Sequence, residues 1–204
     1  MCRDTNQFLE LLKPNYNDAV KYCRALCARW SADEAEDVLQ QALLQAMEAF
    51  DSLKDISKFR SWFFKIITRS FYTAIRKHFW KKFVPLDTGF EHPEMPEVYG
   101  KIEQNENRIM LNKALSKLSA KERAAILLYE VSEFSIEEIK IIQEEKSLST
   151  VKSRLSRARK KLKKILTDVD FHRHDALNNT NYLGDLGDLE NETIKLAAKI
   201  ETGK

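Results

Sequence analysis

Residues 149–166, STVKSRLSRARKKLKKIL, hold eight lysines and arginines and no acid. A helix this basic suits a polyanion. One that enters a DNA major groove reads bases near its N-terminus and meets phosphates along its flanks. Thr150, Lys152, Ser153, Arg154 and Arg157 are candidates for base reading, and Arg159 to Lys164 for phosphate contact. Val151, Leu155, Leu162 and the pair Ile165/Leu166 recur near helical spacing and form the expected buried stripe. The bland alternative is a solvated basic face.

Residues 58–82, KFRSWFFKIITRSFYTAIRKHFWKK, also carry eight Lys/Arg and no acid, together with eight of the chain's twenty aromatics. Rings stack on unpaired bases while cations track the phosphates, so this mixture suits single-stranded nucleic acid. Phe63, Ile66, Ile67, Phe71 and Ile75 read as core; Trp62, Phe64, Lys65, Arg69 and Arg76 are the candidates for the nucleic-acid face. A third pattern lies in 33–50. At 100° per residue Ala35, Leu39, Ala42, Leu43, Ala46 and Phe50 gather on one side, and Asp37, Gln40, Gln41, Leu44 and Glu48 on the other. Leu44 is either an exposed leucine without a role or a docking anchor inside a hydrogen-bonding rim.

These residues need helices to hold them. Glycine is absent from 1–88 and from 101–183, and both stretches are rich in Leu, Ala, Lys and Glu. Residues 83–100 contain three of the four prolines and two of the five glycines, which breaks any regular element. The expected architecture is all-α: a helical module at 6–82, a linker at 83–100, a second helical module at 101–167, and an acidic extension at 168–204 with a short helix near 189–201. In the second module Ser119-x-x-Glu122 and Ser135-x-x-Glu138 match the capping box and predict helices at about 120–131 and 136–145. A longer basic helix should start near Ser149 or Thr150, which completes a helix-turn-helix layout.

Composition narrows the function classes. With glycines only at 89, 100, 184, 187 and 203, there is no P-loop, dinucleotide fingerprint or G-x-S-x-G elbow. The net charge is +3, but residues 168–204 hold −4, so the first 167 hold +7, a basic body suited to a polyanionic partner. Cys2, Cys23 and Cys27 are no disulfide framework, and a reducing cytoplasm fits them. Cys23 and Cys27 read as small hydrophobes rather than half of a metal site, since no second Cys/His pair has matching spacing. No stretch reads as a signal peptide or membrane span. The histidines are His78, His92, His172 and His174; His172-x-His174 lacks any Glu-bearing metalloenzyme motif. No enzyme, metal or cofactor is expected.

AEDVLQQALLQAMEAFDSLKDISKFRSWFFKII resembles region 2 of the sigma-70 superfamily, and ALSKLSAKERAAILLYEVSEFSIEEIKII with STVKSRLSRARKKLKK resembles region 4. With only these regions and a short linker, residues 6–166 resemble the extracytoplasmic-function (ECF) sigma factors, two-domain helical specificity subunits of bacterial RNA polymerase. The resemblance implies a cytoplasmic, nucleoid-associated protein whose partners are core RNA polymerase, through the β′ coiled coil and the β subunit, and promoter DNA. An anti-sigma protein is a further candidate partner. It also implies roles. Asp37, Gln40, Gln41 and Leu44 would dock on the β′ coiled coil. Phe59, Arg60 and Trp62, with loop 51–58, would capture a flipped base of the −10 element. Lys152, Ser153, Arg154, Arg157 and Arg159 would read or clamp the −35 element. The chain departs from the family's pattern at three places. The loop Leu53–Phe59 lacks glycine, Arg69 and Thr73 stand where Asn and Asp are frequent, and the turn Glu144–Leu148, usually glycine-bearing, has none and runs one residue longer. The rival reading is a helix-turn-helix regulator acting without polymerase. It explains 119–166 but neither the aromatic-basic stretch nor the face at 37–48.

Overall fold

Three helices start on one local device. The hydroxyls of Ser31, Ser119 and Ser135 accept from the backbone N–H three residues on, at 3.2, 3.3 and 3.2 Å. Each serine's own N–H donates back to the carboxylate there (Glu34, Glu122, Glu138) at 2.9, 3.0 and 2.9 Å. These capping boxes satisfy backbone donors that the first helical turn leaves orphaned. The structure, a computed structural model, describes residues 5–81 and 105–177, with side chains over 5–78 and 110–167. The helices are α1 (Thr5–Leu12), α2 (Tyr16–Leu26), α3 (Ala32–Glu48), α4 (Phe59–Lys81), α5 (Asn105–Ser116), α6 (Ala120–Glu130), α7 (Ile136–Ile142) and α8 (Leu148–Leu177). The described residues form no strand.

The expected linker at 83–100, with His92, lies outside the described residues, as do 178–204 with the expected short helix and the side chains of His172 and His174. The basic helix starts earlier and ends later than its sequence pattern implied. Ser147 is its cap, accepting from the Thr150 N–H at 3.2 Å, and α8 continues to Leu177.

In the first module, α4 packs lengthwise on α3 and α2. One end is an aromatic cluster in which Phe8 meets Phe50 and Phe59 edge-on at 5.3 and 5.7 Å, with Trp62 tilted against both Phe50 and Phe59. Midway, the fully buried Tyr22 bonds Thr68 at 2.8 Å, and Thr68 donates to the Phe64 carbonyl at 2.8 Å. The threonine hydrogen is thereby used, so Tyr22 is the donor, and burial raises its pKa well above the usual tyrosine value. Cys23 and Cys27 are buried core residues; the Cys23 thiol donates to the Ala35 carbonyl, and the Cys27 thiol is pushed up by its bond to Cys23 and by burial.

In the second module, Leu118, Leu128, Ile139, Ile142 and Leu162 are essentially inaccessible between α6, α7 and α8. Two turns there are closed by acids at positive φ, Glu133 and Glu144, both at 54°. After α7, the Glu145 N–H returns to the Lys140 carbonyl at 2.9 Å and the Glu144 N–H to that of Ile141 at 3.3 Å. This is the Schellman pattern, whose left-handed residue is ordinarily glycine; a residue with a Cβ there costs about 1–2 kcal/mol.

The two modules meet. Residues 122–128 of α6 are all buried, which requires cover on every side: α8 provides one layer and α2 another. The apolar core is continuous across the seam, where Phe64 of α4 meets the Phe134 ring at 5.0 Å. Three arginines cross it. Arg123 donates to the Leu26 carbonyl at 2.5 Å, Arg29 to that of Ser116 at 2.5 Å, and Arg60 to that of Ser132 at 2.7 Å. Leu26 and Ser116 end α2 and α5, where carbonyls lack intrahelical partners and the dipole is negative, and Ser132 lies in the turn just after α6. Arg123 is only 4% exposed, and its Nε finds no partner among the described residues. Burial, with Arg29 nearby, lowers its pKa to about 10.

Candidate nucleic-acid interface

Three surfaces carry the expected site residues. On α3, Ala35, Leu39, Ala42 and Ala46 are buried, and Asp37, Gln40, Gln41 and Leu44 are all exposed. Leu44 is 57% exposed, and Met47, one turn on, is 46% exposed. Two large apolar side chains thus stand in a rim of Asp37, Gln40, Gln41 and Glu48. Beside this face a groove of about 350 Å³ runs between α3 and α4, lined by Asp37, Gln41, Gln45, Thr73 and His78 among others. Its end is closed by Trp30 stacked on His78 at 4.8 Å, with His78 Nε2 3.3 Å from Glu34.

On α4 the structure separates residues that the sequence grouped. Phe59 and Phe64 are buried, at 2% and 0% exposure, so neither ring is available to a base. The reason is helical spacing: Phe59 closes the aromatic cluster, and Phe64 shares a face with Ile67, Thr68 and Phe71 and packs on Tyr22 and Phe134. Trp62 is half-buried against Phe50 and Phe59. Arg60 lies over the Phe134 ring at 4.3 Å while bonding Ser132. Lys65 reaches the Glu144 carboxylate at 3.0 Å, and Arg69 bonds the same oxygen. Arg76 is exposed and donates to the Thr73 hydroxyl at 3.2 Å. A cleft of about 540 Å³ stays open between α4 and the second module, lined by Arg69, Tyr72, Thr73, Arg76, Lys121 and Glu144 among others.

On α8 the cations divide in two. Lys152, Arg157, Lys160, Lys163 and Lys164 are exposed, and so is Ser153. Thr150 is half-buried, its hydroxyl 2.9 Å from Ser147. Arg154 is not on the outer face. It is 7% exposed and donates to Gln143 Oε1 at 2.6 Å and Glu145 Oε1 at 2.8 Å. Lys121 pairs with the same Glu145 oxygen at 3.1 Å. Burial raises the pKa of Glu145, but the bonds from Arg154 and Lys121 outweigh it and leave the carboxyl below its ordinary range. Arg154 therefore holds the turn to the helix, and the base-reading role expected of it is not available from this position. Arg159 is likewise engaged: its Nε and Nη2 both reach Glu130 Oε1, at 3.0 and 2.8 Å, and its guanidinium lies over Tyr129. Lys161 bonds both oxygens of Glu122.

Sequence reading missed Arg123 and Glu144. Arg123 had a signal, a cation directly abutting the apolar run AAILL. Glu144 had one in the missing glycine of its turn.

Comparisons with known proteins identify the two helical regions. The sequence model for Sigma-70 region 2 matches residues 11–81, and that for Sigma-70, region 4 matches 108–162. The chain is 30% identical over 140 residues to the RNA polymerase sigma factor SigV of Bacillus subtilis, covering 68% of this chain and 80% of SigV. It is 31% identical over 144 residues to the ECF RNA polymerase sigma factor EcfG of Rhodopseudomonas palustris, covering 70% of this chain and 76% of EcfG. Among solved structures it resembles the sigma factor RpoE in complex with the anti-sigma factor NepR from Bartonella quintana. The TM-score there is 0.63 and the identity 30%, over 78% of this chain and 96% of RpoE. CnrH in complex with the cytosolic domain of CnrY shares the fold, with a TM-score of 0.60 at 20% identity, over 81% of this chain and 90% of CnrH. No helix among the described residues is long and apolar enough to cross a membrane. The two matched regions and these relatives show that the chain belongs to the ECF RNA polymerase sigma factors, non-enzymatic subunits that bring core polymerase to promoter DNA.

Proposed function

We propose a division of that work among the three surfaces. The face of α3 made by Asp37, Gln40, Gln41 and Leu44, with Met47, docks on core polymerase. The observation that carries this is an exposed leucine centred in a polar rim on a helix whose opposite side is fully packed. A desolvated apolar centre with a hydrogen-bonding edge is the anatomy of a protein interface. The outer face of α4, from Arg60 and Trp62 through Lys65 and Arg69 to Arg76, meets the separated −10 strand, with Phe59 and Phe64 as the packing that holds it. On α8 the readers of the −35 element are Lys152, Ser153 and Arg157 around Thr150, with Lys160, Lys163 and Lys164 on phosphates. Arg154 and Arg159 brace that helix from within.

Core polymerase and promoter DNA place this work in the cytoplasm, on the nucleoid. An anti-sigma protein is also a partner in this reading, supported by the two similar solved structures, each a complex with a binding partner and one named as an anti-sigma complex. The test is Leu44→Arg. It puts a charge into the docking centre and none into the chain's own core. Affinity for core polymerase should fall by at least about thirtyfold, equivalent to about 2 kcal/mol. Helicity and melting temperature should stay unchanged. Normal binding to core polymerase would remove the α3 face from the interface.

A further inference from the structure

We propose that Glu144 is an internal substitute for a promoter phosphate, occupying the Lys65 and Arg69 cations of the −10 face until DNA displaces it. The idea rests on the reading above, in which Lys65 and Arg69 meet the −10 strand. These two cations are one helical turn apart on α4, and both converge on a single Glu144 oxygen. Their bonds hold the Glu144 carboxyl below its ordinary range. A phosphate and this carboxylate each carry an acceptor-rich negative charge, and the same donors cannot serve both at once.

The residue type at 144 strengthens the case. Its φ of 54° closes a Schellman turn that glycine would close without steric conflict. The turn gains nothing from the glutamate, whose side chain instead reaches across the seam to α4. The same approach brings Ser132 onto Arg60 and Phe134 onto Phe64, so one contact covers the N-terminal half of the −10 face. Farther along, Arg76 lines an open cleft, which leaves an entry for the strand.

The experiment uses the full chain without polymerase and a fluorescent single-stranded −10 oligonucleotide at low salt. The variants are Glu144→Gly, which suits the turn, and Glu144→Gln, which keeps the side chain and removes the charge. Circular dichroism and melting temperature report that the fold is kept. Both variants should bind the oligonucleotide about tenfold more tightly, the scale of two networked surface ion pairs lost by the competitor. Both should keep helicity and the packed seam, since the apolar core and the arginines across it remain. Adding Lys65→Ala and Arg69→Ala to Glu144→Gly should then weaken binding. Unchanged affinity in both Glu144 variants, with the added alanines still weakening binding, would overturn the substitute while leaving the −10 face intact. If the added alanines have no effect, the −10 reading itself fails, and the proposal with it.

Discussion

Arg154→Ala offers the sharpest test of how α8 is turned in the molecule. In the structure its guanidinium bridges Gln143 and Glu145 at 2.6 and 2.8 Å, with Arg154 and Glu145 side chains only 9% and 12% exposed. Removing one partner of a buried ion pair costs about 3–5 kcal/mol, because the other charge is left without compensation. Glu145 keeps Lys121 at 3.1 Å, and Gln143 Nε2 keeps the Lys121 carbonyl, so the lower end, about 3 kcal/mol, is expected. Because the core is continuous across the seam, the chain should melt as one unit of about 150 residues, at about 2–4 °C per kcal/mol, so the melting temperature should fall by about 6–12 °C. The double variant Arg154→Met/Glu145→Met removes both charges and should recover most of the loss. Thermal denaturation followed by circular dichroism gives the stability. Holoenzyme affinity over a small library of −35 sequences gives the reading. If Arg154→Ala melts like the wild type and selectively loses discrimination at one base pair, the guanidinium faces the groove and the internal brace is wrong.

Other outcomes follow from the same surfaces. Lys160→Ala should weaken all −35 variants equally and lower the log–log salt slope by about 0.9 for one lost phosphate contact, whereas Lys152→Ala and Arg157→Ala should weaken them unevenly; equal losses from all three would mean that α8 reads no bases. Acid should loosen the fold. Bonds from Arg69 and Lys65 lower Glu144, and bonds from Lys161, and from Arg154 and Lys121, lower Glu122 and Glu145 against the opposing pull of burial. Each contribution is complete above the unfolded glutamate value of about 4.3 and is lost as pH falls through the lower folded values. The melting temperature should therefore hold from pH 6 to about pH 5 and drop below about pH 4; a melting temperature that rises over the acid range would contradict these pairings.

Local physics made most of the fold legible. Capping boxes at Ser119 and Ser135 act within four residues, so the starts of α6 and α7 could be placed from the sequence. The same pattern at Ser31 was there to be read. The stripe on α3 was equally local, and its polar counterpart is exposed as expected. What failed were assignments that needed the exact angle around a helix. Val151, Arg154, Ala158 and Leu162 share one stripe, but a charged residue in a basic run looked solvent-facing until Ala158 is counted as core. Phe64 was misplaced for the same reason, one position beyond the correctly placed Phe63. The seam was invisible because residues such as Arg60 and Ser132 are 72 positions apart, and nothing local links them.

The arginines at the seam have an uneven genetic consequence. Arg29, Arg60 and Arg123 all address main-chain oxygens, and a main-chain oxygen exists whatever codon occupies the accepting position. Sequence drift at Ser116 alters a side chain and leaves the acceptor in place, whereas drift at Arg29 deletes the bond. For these three bonds, heritable change therefore enters through the arginine codons and not through those of the accepting residues. The accepting positions, which lie on both banks of the seam, are free to vary as far as their own packing allows without losing these bonds.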